Sequence, residues 1–458
     1  MRFIILLLIL APISVCAAIR LPAIIGDHMV LQQKADIKLW GWAGPAEILF
    51  IKSGWDTTTY SVKTDHGGKW SLSLKTPVAG GPYTISLKAS NEIILQDVMI
   101  GEVWLCGGQS NMEWSGSQQL PQSLEEAPNA TNTMIRFFYI PKSTSAFPQE
   151  NVTAKWMVCS PEEMKKFSAI GYFFGKQINA STGYSIGLIS ANWGGTPAET
   201  WTPREIVMND PLLKEAAGKL VPKEGWPMEP GLAFNAMIYP VTSYTIAGVL
   251  WYQGESNTTT NATYQSLFTQ MIGSWRKAWN KDFPFYYVQI APYTYEQENI
   301  GALLREAQTK SLSYPKTGMV VVSDLVDDVK NIHPKNKKDV AVRLANMALS
   351  EIYGQKGLNY KFPMYKNMTI EKDKVRISFY NAENGLVSRQ PEPSGFLIRE
   401  EGGNFLPARA KIEGSTILVW NKDVKKPVAV RFNFNNTDMP DIFSREGLPL
   451  NLFRTDNQ

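Results

Sequence analysis

The sequence is poor in the residues that build metal centres and disulfide frameworks. Its 458 residues include only 3 His and 3 Cys, beside 14 Trp, 18 Tyr and 20 Phe. Three cysteines cannot form a disulfide framework, and three histidines leave no room for a histidine-rich metal site. Cys106 and Cys159 could pair with each other, but Cys106 lies in an apolar, strand-like run. That position favours two small buried thiols.

The chain also lacks a large net charge. Lys+Arg 46 against Asp+Glu 42 gives a net charge of +4, which is too small to indicate nucleic acid as a partner. The apolar fraction of 44% and the charged fraction of 19% are typical of a globular protein and exclude a disordered chain. At about 100–200 residues per domain, the length predicts two to four domains, with three as the central value.

Only one apolar run is long, and it stands at the start of the chain. Residues 3–10 are apolar, follow Arg2 and precede small residues at 16–18, which predicts a secretory signal peptide over residues 1–18. No later segment reaches about 18 uninterrupted apolar residues, so we expect an exported protein, periplasmic or secreted, without integral membrane association. Cys16 leaves a lipoprotein open as the alternative, although the bulky Val15 before it favours simple cleavage.

The periodicity of apolar residues divides the mature chain into three regions. Residues 19–97 contain short alternating segments, such as 37–42 and 83–87, separated by glycine-rich turns; they predict an N-terminal β-sandwich domain. In residues 98–355, apolar strands alternate with amphipathic helices, which predicts an α/β domain with a mainly parallel sheet. Residues 356–458 return to short strands and predict a C-terminal β-rich domain.

The predicted strands and helices of the α/β region can be placed individually. The strands are expected at 103–106, 186–189, 248–252, 285–290 and 319–322. Ser160 is a helix cap, and the apolar residues that follow it predict one helix through Phe174. Two further helices are expected: one that buries Tyr264 to Trp275, and one from about Pro334 to Gly354.

Polar motifs follow four of the predicted strands. They are GGQSNM at 107–112, ANWGGT at 191–196, YQGESN at 252–257, and the acidic and histidine-containing stretch 323–334. In an open α/β sheet, sites form just beyond the carboxyl ends of the strands. The glycines at 107 and 108 would let the hydroxyl of Ser110 approach a substrate carbonyl, and Gly194 and Gly195 would expose N–H groups, as an oxyanion site requires. Each motif alone is also compatible with an ordinary turn.

One histidine is placed to serve such a hydroxyl. His28 and His66 lie in the N-terminal β region, whereas His333 alone lies in the α/β region, beyond a strand end as Ser110 does. A hydroxyl nucleophile needs a base that titrates near neutral pH, and histidine is the best suited side chain. We therefore predict that Ser110 and His333 act together.

Five motifs in this order resemble the sialate O-acetylesterase family of the SGNH hydrolases, which is related to the acetyl xylan esterases. The motifs are GGQSNM at 107–112, WGGTPAETW at 193–201, FNAMI at 234–238, WYQGESN at 251–257 and IHP at 332–334. The resemblance implies an SGNH-type three-layer α/β hydrolase with a parallel sheet, flanked by N-terminal and C-terminal β-rich domains. It also implies an exported serine esterase that removes O-acetyl groups from sialic acid or related carbohydrates through an acetyl-enzyme, without a metal or organic cofactor.

The resemblance assigns roles to individual residues. Ser110 would be the nucleophile and His333 the base. The oxyanion would be bound by the N–H of Ser110, an N–H of Gly194 or Gly195, and a side-chain amide of Gln253 or Asn257.

The acidic partner of His333 is the point at which this chain departs from the family. SGNH enzymes usually carry an Asp three residues before the histidine, and that position is Lys330 here. Asp324, which ends a predicted strand, is our first choice for orienting the ring. Asp328, Glu255 or a backbone carbonyl are the alternatives.

Several residues near the motifs are candidates for substrate binding. Trp114, Trp193 and Trp201 could stack on a sugar ring, Glu199 could orient the Gly194–Gly195 loop, and Glu255 would add a carboxylate beside the site. The long, weakly periodic stretch 203–230 could cover the site.

Two alternative functions stay open. An acetyl xylan esterase would use the same acyl-transfer machinery. A catalytically silent carbohydrate-binding protein, acting through its β modules, belongs to a different class, and the presence of both Ser110 and His333 at the motif positions argues against it.

Overall fold

A computed structural model describes residues 18–456. The predicted signal peptide, apart from residue 18, and with it Cys16 lie outside the described residues. Within residues 18–456, no helix is both long enough and apolar enough to cross a membrane.

A parallel sheet forms the centre of the molecule. Its strands are β7 (Glu92–Gly108), β8 (Asn132–Tyr139), β10 (Ser185–Asn192), β11 (Gly248–Tyr252), β12 (Phe285–Val288) and β13 (Thr317–Val320), with β9 (Trp156–Cys159) at one edge. The order across the sheet is β13-β12-β11-β7-β10-β8-β9, and all neighbours are parallel except β8 and β9. Every residue of β10, β11 and β12 is buried, as expected for a parallel sheet that is covered on both faces.

The helices lie between these strands along the chain. They are α1 (Ser110–Glu113), α2 (Pro121–Glu126), α3 (Pro161–Lys166), α4 (Ala169–Thr182), α5 (Arg204–Asn209), α6 (Pro211–Ala217), α7 (Asn261–Trp279), α8 (Ile300–Lys310) and α9 (Lys337–Glu351). Ser160 caps α3 by accepting from the N–H of Glu163 at 3.3 Å. The prediction of a single helix after Ser160 is wrong, because the structure has two helices there, α3 and α4. Ser168 caps the second, and its Oγ accepts from the N–H of Gly171.

The N-terminal region is joined to the central sheet by a shared strand. Its strands are β1 (Val30–Gln32), β2 (Asp36–Trp42), β3 (Ile48–Ser53), β4 (Thr59–Lys63), β5 (Lys69–Lys75) and β6 (Gly80–Lys88). β2 pairs with β5. β4 pairs with β3, β3 pairs with β6, and β6 pairs with the first half of β7. The second half of β7 pairs with β10 and β11. The boundary predicted between residues 97 and 98 therefore falls inside one continuous strand.

The C-terminal region has a hydrophobic core of its own. Its strands are β14 (Met364–Glu371), β15 (Lys374–Tyr380), β16 (Leu386–Ser388), β17 (Phe396–Glu400), β18 (Leu406–Pro407), β19 (Arg409–Glu413), β20 (Thr416–Trp420), β21 (Pro427–Phe432), β22 (Ile442–Ser444) and β23 (Phe453–Arg454). They form two four-stranded antiparallel sheets, β14-β15-β20-β19 and β18-β17-β21-β23, and the pair β16-β22. Buried residues between Val375 and Phe453 make a cluster separate from the large core of residues 19–362 and Leu448.

The two described cysteines are free and buried, as the sequence predicts. Cys106 lies on β7 and Cys159 ends β9. Burial raises the pKa of the Cys159 thiol to about 12, so this thiol is protonated and unreactive at neutral pH.

Candidate active site

Ser110 is presented by a sharp turn at the carboxyl end of β7. The strand ends at Gly108, and α1 begins two residues later. Gly108 has φ +136°, and a Cβ at this position would lie 2.2 Å from the carbonyl oxygen of Tyr252 on the neighbouring strand. Only glycine fits this conformation and this approach, so the turn that exposes the hydroxyl depends on it.

His333 meets Ser110 from the loop between β13 and α9. Its Nε2 lies 2.8 Å from the Oγ of Ser110, which is the distance of a hydrogen bond between a nucleophile and its base. The backbone N–H of His333 donates to the Oδ1 of Asn331 at 3.0 Å. The imidazole stacks on the indole of Trp114, with ring centroids 4.5 Å apart and an interplanar angle of 19°.

The electrostatic surroundings keep this histidine neutral. Burial lowers the pKa of His333 to about 4, and the positive charge of Lys337 acts in the same direction. A histidine with this pKa is unprotonated at neutral pH, so its Nε2 can accept the proton of a hydroxyl group.

The prediction that Asp324 orients the imidazole is wrong. Both carboxylate oxygens of Asp324 accept from the guanidinium of Arg343, each at 2.7 Å. Asp328 accepts instead from the backbone N–H of Lys330. Within residues 18–456, no carboxylate oxygen comes within the 4.0 Å of an ion pair with the His333 ring, so Glu255 is not its direct partner either.

Of the two glycines predicted as backbone donors, Gly194 is already occupied. Its N–H donates to the Oε2 of Glu113 at 2.7 Å, and the other oxygen of Glu113 lies 2.6 Å from the Nζ of Lys142. In the described chain the N–H groups of Ser110 and Gly195 donate to no other residue. Ser110 and Gly195 therefore remain the predicted backbone donors, whereas Gly194 is corrected to a residue that anchors the loop.

The predicted side-chain donors Gln253 and Asn257 face the interior. The Nε2 of Gln253 donates to the Oδ1 of Asn257 at 2.8 Å and to the carbonyl of Thr196 at 3.2 Å. The Nδ2 of Asn257 donates to the Oε2 of Glu199 at 2.8 Å. Gln253, Asn257 and Glu199, which is also a predicted site residue, are all buried. They therefore support the 196–200 segment instead of reaching a substrate.

A cleft of about 810 Å³ opens over Ser110 and His333. Trp193 and Glu255 line it as predicted, but Trp201 is buried with its Nε1 donating to Thr196. Trp114 is stacked on His333 and is not part of the lining. Among residues 18–456, no group of three or more His, Cys, Asp or Glu side chains is arranged to hold a metal ion.

One side of the cleft is formed by a cover segment, residues 219–228, which lies within the stretch 203–230 that the sequence predicts as a cover. Trp226 packs directly on Gly195: a Cβ on this glycine would lie 2.3 Å from the indole. The Nζ of Lys223 lies 4.9 Å from the centre of the same indole. The cover segment thus holds an aromatic ring and a cation against the loop that carries a predicted oxyanion donor.

Residue-by-residue reading of the sequence misses four contributors to the site. Gln109 and Asn111 stand inside the GGQSNM motif, which is the signal that could have identified them. Lys337 begins α9 and its side chain is buried, whereas Lys142 comes from a loop after β8, a strand that the sequence pattern does not predict. The Oε1 of Gln109 accepts from the N–H groups of Gly254 and Ser256, and its Nε2 donates to no residue of the described chain.

The hydroxyl of Ser110 thus contacts a neutral His333 beyond the carboxyl ends of parallel strands, where sites form in sheets of this kind. The sequence model of the family "Carbohydrate esterase, sialic acid-specific acetylesterase" matches residues 100–350, more than half of the chain. The chain belongs to this family and is an esterase.

Individual relatives agree with this assignment. Human sialate O-acetylesterase is 29% identical over 409 residues, which cover 79% of this chain and 76% of the human protein. Mouse sialate O-acetylesterase is 28% identical over 431 residues, 80% of each chain. A crystal structure of a carbohydrate acetylesterase from Xanthomonas citri is 34% identical, with a TM-score of 0.87, and covers 96% of this chain and 100% of its own. None of these names favours a non-catalytic binding protein.

Proposed function

We propose that this protein is an exported serine esterase of the SGNH type that hydrolyses O-acetyl groups on sialic acid or a related anionic sugar. The observation that carries the proposal is the 2.8 Å contact between the Oγ of Ser110 and the Nε2 of His333. The family assignment and the names of the relatives support acetylated carbohydrates as the substrate class.

The reaction would proceed through an acetyl-enzyme. The Oγ of Ser110 attacks the acetyl carbonyl while Nε2 of His333 takes the hydroxyl proton. The bond between the carbonyl carbon and the sugar oxygen then breaks, and His333 gives its proton to that oxygen. Water, deprotonated by His333, then attacks the acetyl carbonyl carbon on Ser110. The bond from that carbon to Oγ breaks, Oγ takes the proton back from His333, and acetic acid leaves and ionises to acetate.

The negative charge that develops on the carbonyl oxygen would be bound by N–H donors at the floor of the cleft. The backbone N–H groups of Ser110 and Gly195 have no acceptor elsewhere in the described chain. Gln109 lines the same cleft, and its amide nitrogen donates to none of the described residues. Loss of one such donor typically lowers kcat by about 10²–10³-fold.

The charges of the cleft favour an anionic sugar. Lys142, Lys219 and Lys223 line it, against the single carboxyl of Glu255. Burial raises the pKa of Glu255, which reduces the negative charge it contributes. Lys142 is paired with Glu113 and Lys219 with Glu215, whereas Lys223 has no carboxylate partner among the described residues. A sialic acid carries a carboxylate that Lys223 could attract; acetylated xylan is neutral.

Hydrolysis of a chromogenic acetate ester tests the mechanism. We expect Ser110→Ala and His333→Ala each to lower kcat by about 10⁴–10⁶-fold. Ser117→Ala and His66→Ala, which remove an exposed serine and an exposed histidine away from the cleft, should retain wild-type rates. Equal rates in all four variants would disprove the serine-esterase mechanism.

Acetate release from O-acetylated sialic acid and from acetylated xylan tests the substrate. We expect a higher kcat/KM on the sialic acid, and a loss of that preference in Lys223→Met. A higher kcat/KM on acetylated xylan would overturn the anionic-sugar assignment. Mass spectrometry of the exported protein tests the remaining part of the proposal, because cleavage near residue 18 and acylation at Cys16 leave different N-termini.

A further inference from the structure

A cluster of three buried polar side chains lies directly behind Ser110 and His333. It consists of Asn111, Glu255 and Lys337, and we call it the buried cluster. Asn111 and Lys337 are each 1% exposed and Glu255 is 7% exposed. Burying an amide, a carboxyl and an amine together costs free energy unless they satisfy one another, so the cluster requires an explanation.

Asn111 connects the nucleophile to the loop that carries the base. It follows Ser110 in the chain, and its Nδ2 donates to the carbonyl oxygen of Ile332, the residue before His333, at 3.0 Å. The same Nδ2 donates to the Oε1 of Glu255. One amide group therefore holds the peptides next to both Ser110 and His333.

Lys337 holds this amide from the other side. Its Nζ donates to the Oδ1 of Asn111 at 2.5 Å, so the carbonyl oxygen of the amide is fixed and its nitrogen must point towards Glu255 and Ile332. The same Nζ lies 6.0 Å from the ring centre of Trp114, on which the imidazole of His333 stacks. Lys337 is thus linked to the peptide at Ile332 through Asn111, and its ammonium group faces the indole on which His333 stacks.

In a Ser-His-Asp triad the carboxylate orients the imidazole, and here no carboxylate reaches the ring within the described chain. We propose that Asn111, held by Lys337 and Glu255, is the positioning residue for His333 in place of that carboxylate. The inference rests on the proposed serine mechanism and adds to it the group that aligns the base.

The charges around the buried cluster give the inference an independent readout. Burial lowers the pKa of His333, and the positive charge of Lys337 lowers it further. The charged groups that act on Lys337 are Glu255 and Asp327, and burial lowers the pKa of Lys337 to about 7. Replacing Lys337 by methionine removes this charge, so the pKa of His333 must rise towards its ordinary value.

The first test measures kcat for each active site of Asn111→Ala, with the sites counted by titration of Ser110 to completion with a fluorophosphonate. A displaced base should lower kcat per site by about 10²-fold while KM changes little. A residue needed only for folding would reduce the number of titrated sites and leave kcat per site unchanged, and that result would overturn the proposal.

The second test uses Lys337→Met and does not depend on whether Asn111→Ala folds. We expect kcat per site to fall and the acidic limb of the kcat/KM profile to move to higher pH. Lys335→Met, the same substitution at an exposed lysine two residues away, should reproduce the wild-type profile. An unshifted limb together with an unchanged kcat in Lys337→Met would overturn the proposal. Failure of the serine mechanism itself would be recognised separately, by full activity of Ser110→Ala.

Discussion

The two β-rich regions that flank the central sheet are joined to it in different ways. The N-terminal region shares the strand β7 and the hydrophobic core with the sheet. The C-terminal region has its own core. It contacts α8 through polar groups, such as the two hydrogen bonds from Arg454 to Glu306. A small apolar cluster of Ala302, Phe434 and Leu452 adds to this contact. The difference shows that the N-terminal strands are part of the body that presents Ser110, whereas the C-terminal strands are attached to it.

The largest effect is expected where the N-terminal region and the sheet share their core. Trp156 is buried on β9, and its Nε1 donates to the carbonyl of Ile24 at 2.8 Å. Trp156→Ala should lower the free energy of unfolding by about 3–5 kcal/mol. The temperature at which esterase activity is lost and the temperature of unfolding should fall by the same amount. Unfolding without a parallel loss of activity would contradict a shared core.

The matching substitution in the C-terminal core should act on that region alone. Ile377 is fully buried on β15, and Ile377→Ala should cost about 2–5 kcal/mol. We expect calorimetry to show a lower unfolding temperature for the C-terminal region. The temperature at which esterase activity disappears should stay near that of the wild type. Equal shifts of both would mean that the two cores unfold as one.

Two glycines with positive φ, one at the end of β7 and one in the C-terminal region, differ in the space around them. Gly108 ends β7 with no room for a Cβ, whereas Gly414, between β19 and β20, has φ +65° and no atom within 4 Å of the position that a Cβ would occupy. Gly108→Ala should lower the free energy of unfolding by more than the roughly 1–3 kcal/mol of backbone strain alone. It should also lower kcat by about 10²-fold, because it displaces Ser110. Gly414→Ala should carry only the strain and leave kcat unchanged, which steady-state kinetics of the two variants would check.

The smallest effect is expected at the contact between the C-terminal region and α8. Arg454 and Glu306 are partly buried and form two hydrogen bonds of 2.9 and 2.8 Å. Glu306→Gln should destabilise the protein by about 1 kcal/mol and separate the two calorimetric transitions more clearly. A loss as large as that of Trp156→Ala would show that this contact is a main connection after all.

Sequence patterns are most informative where a residue type has few possible roles. The strand predicted over 248–252 has the bounds of β11 in the structure, because a short apolar run between turns has few alternatives. The sequence predicts Ser110 and His333 as a pair, and the structure brings their side chains together. His333 can be placed beside Ser110 from the sequence because the chain has only 3 His, so few histidines compete for the position.

The same reasoning fails for residues whose chemistry allows either a buried or an exposed position. Gln253 and Asn257 are expected to face the substrate, but Gly254, with φ +153°, and the short helix Glu255–Thr260 turn both amides inward. Asp324 is expected to reach His333, yet Arg343 lies on α9 close to it. Neither the turn nor the partner can be read from the local sequence.

The sequence alone predicted that Ser110 and His333 would meet beyond the carboxyl ends of the strands, and the structure brings their side chains into contact. Buried strands and glycine turns can be predicted in this way because neighbouring residues encode them. Which polar groups of each motif open into the cleft, and which are buried behind it, depends on contacts between distant parts of the chain. Hydrogen bonds such as those of Asn111 to Ile332 and Lys337 join residues more than 200 positions apart. These residues come within hydrogen-bond distance of each other only once the strands have assembled into the sheet.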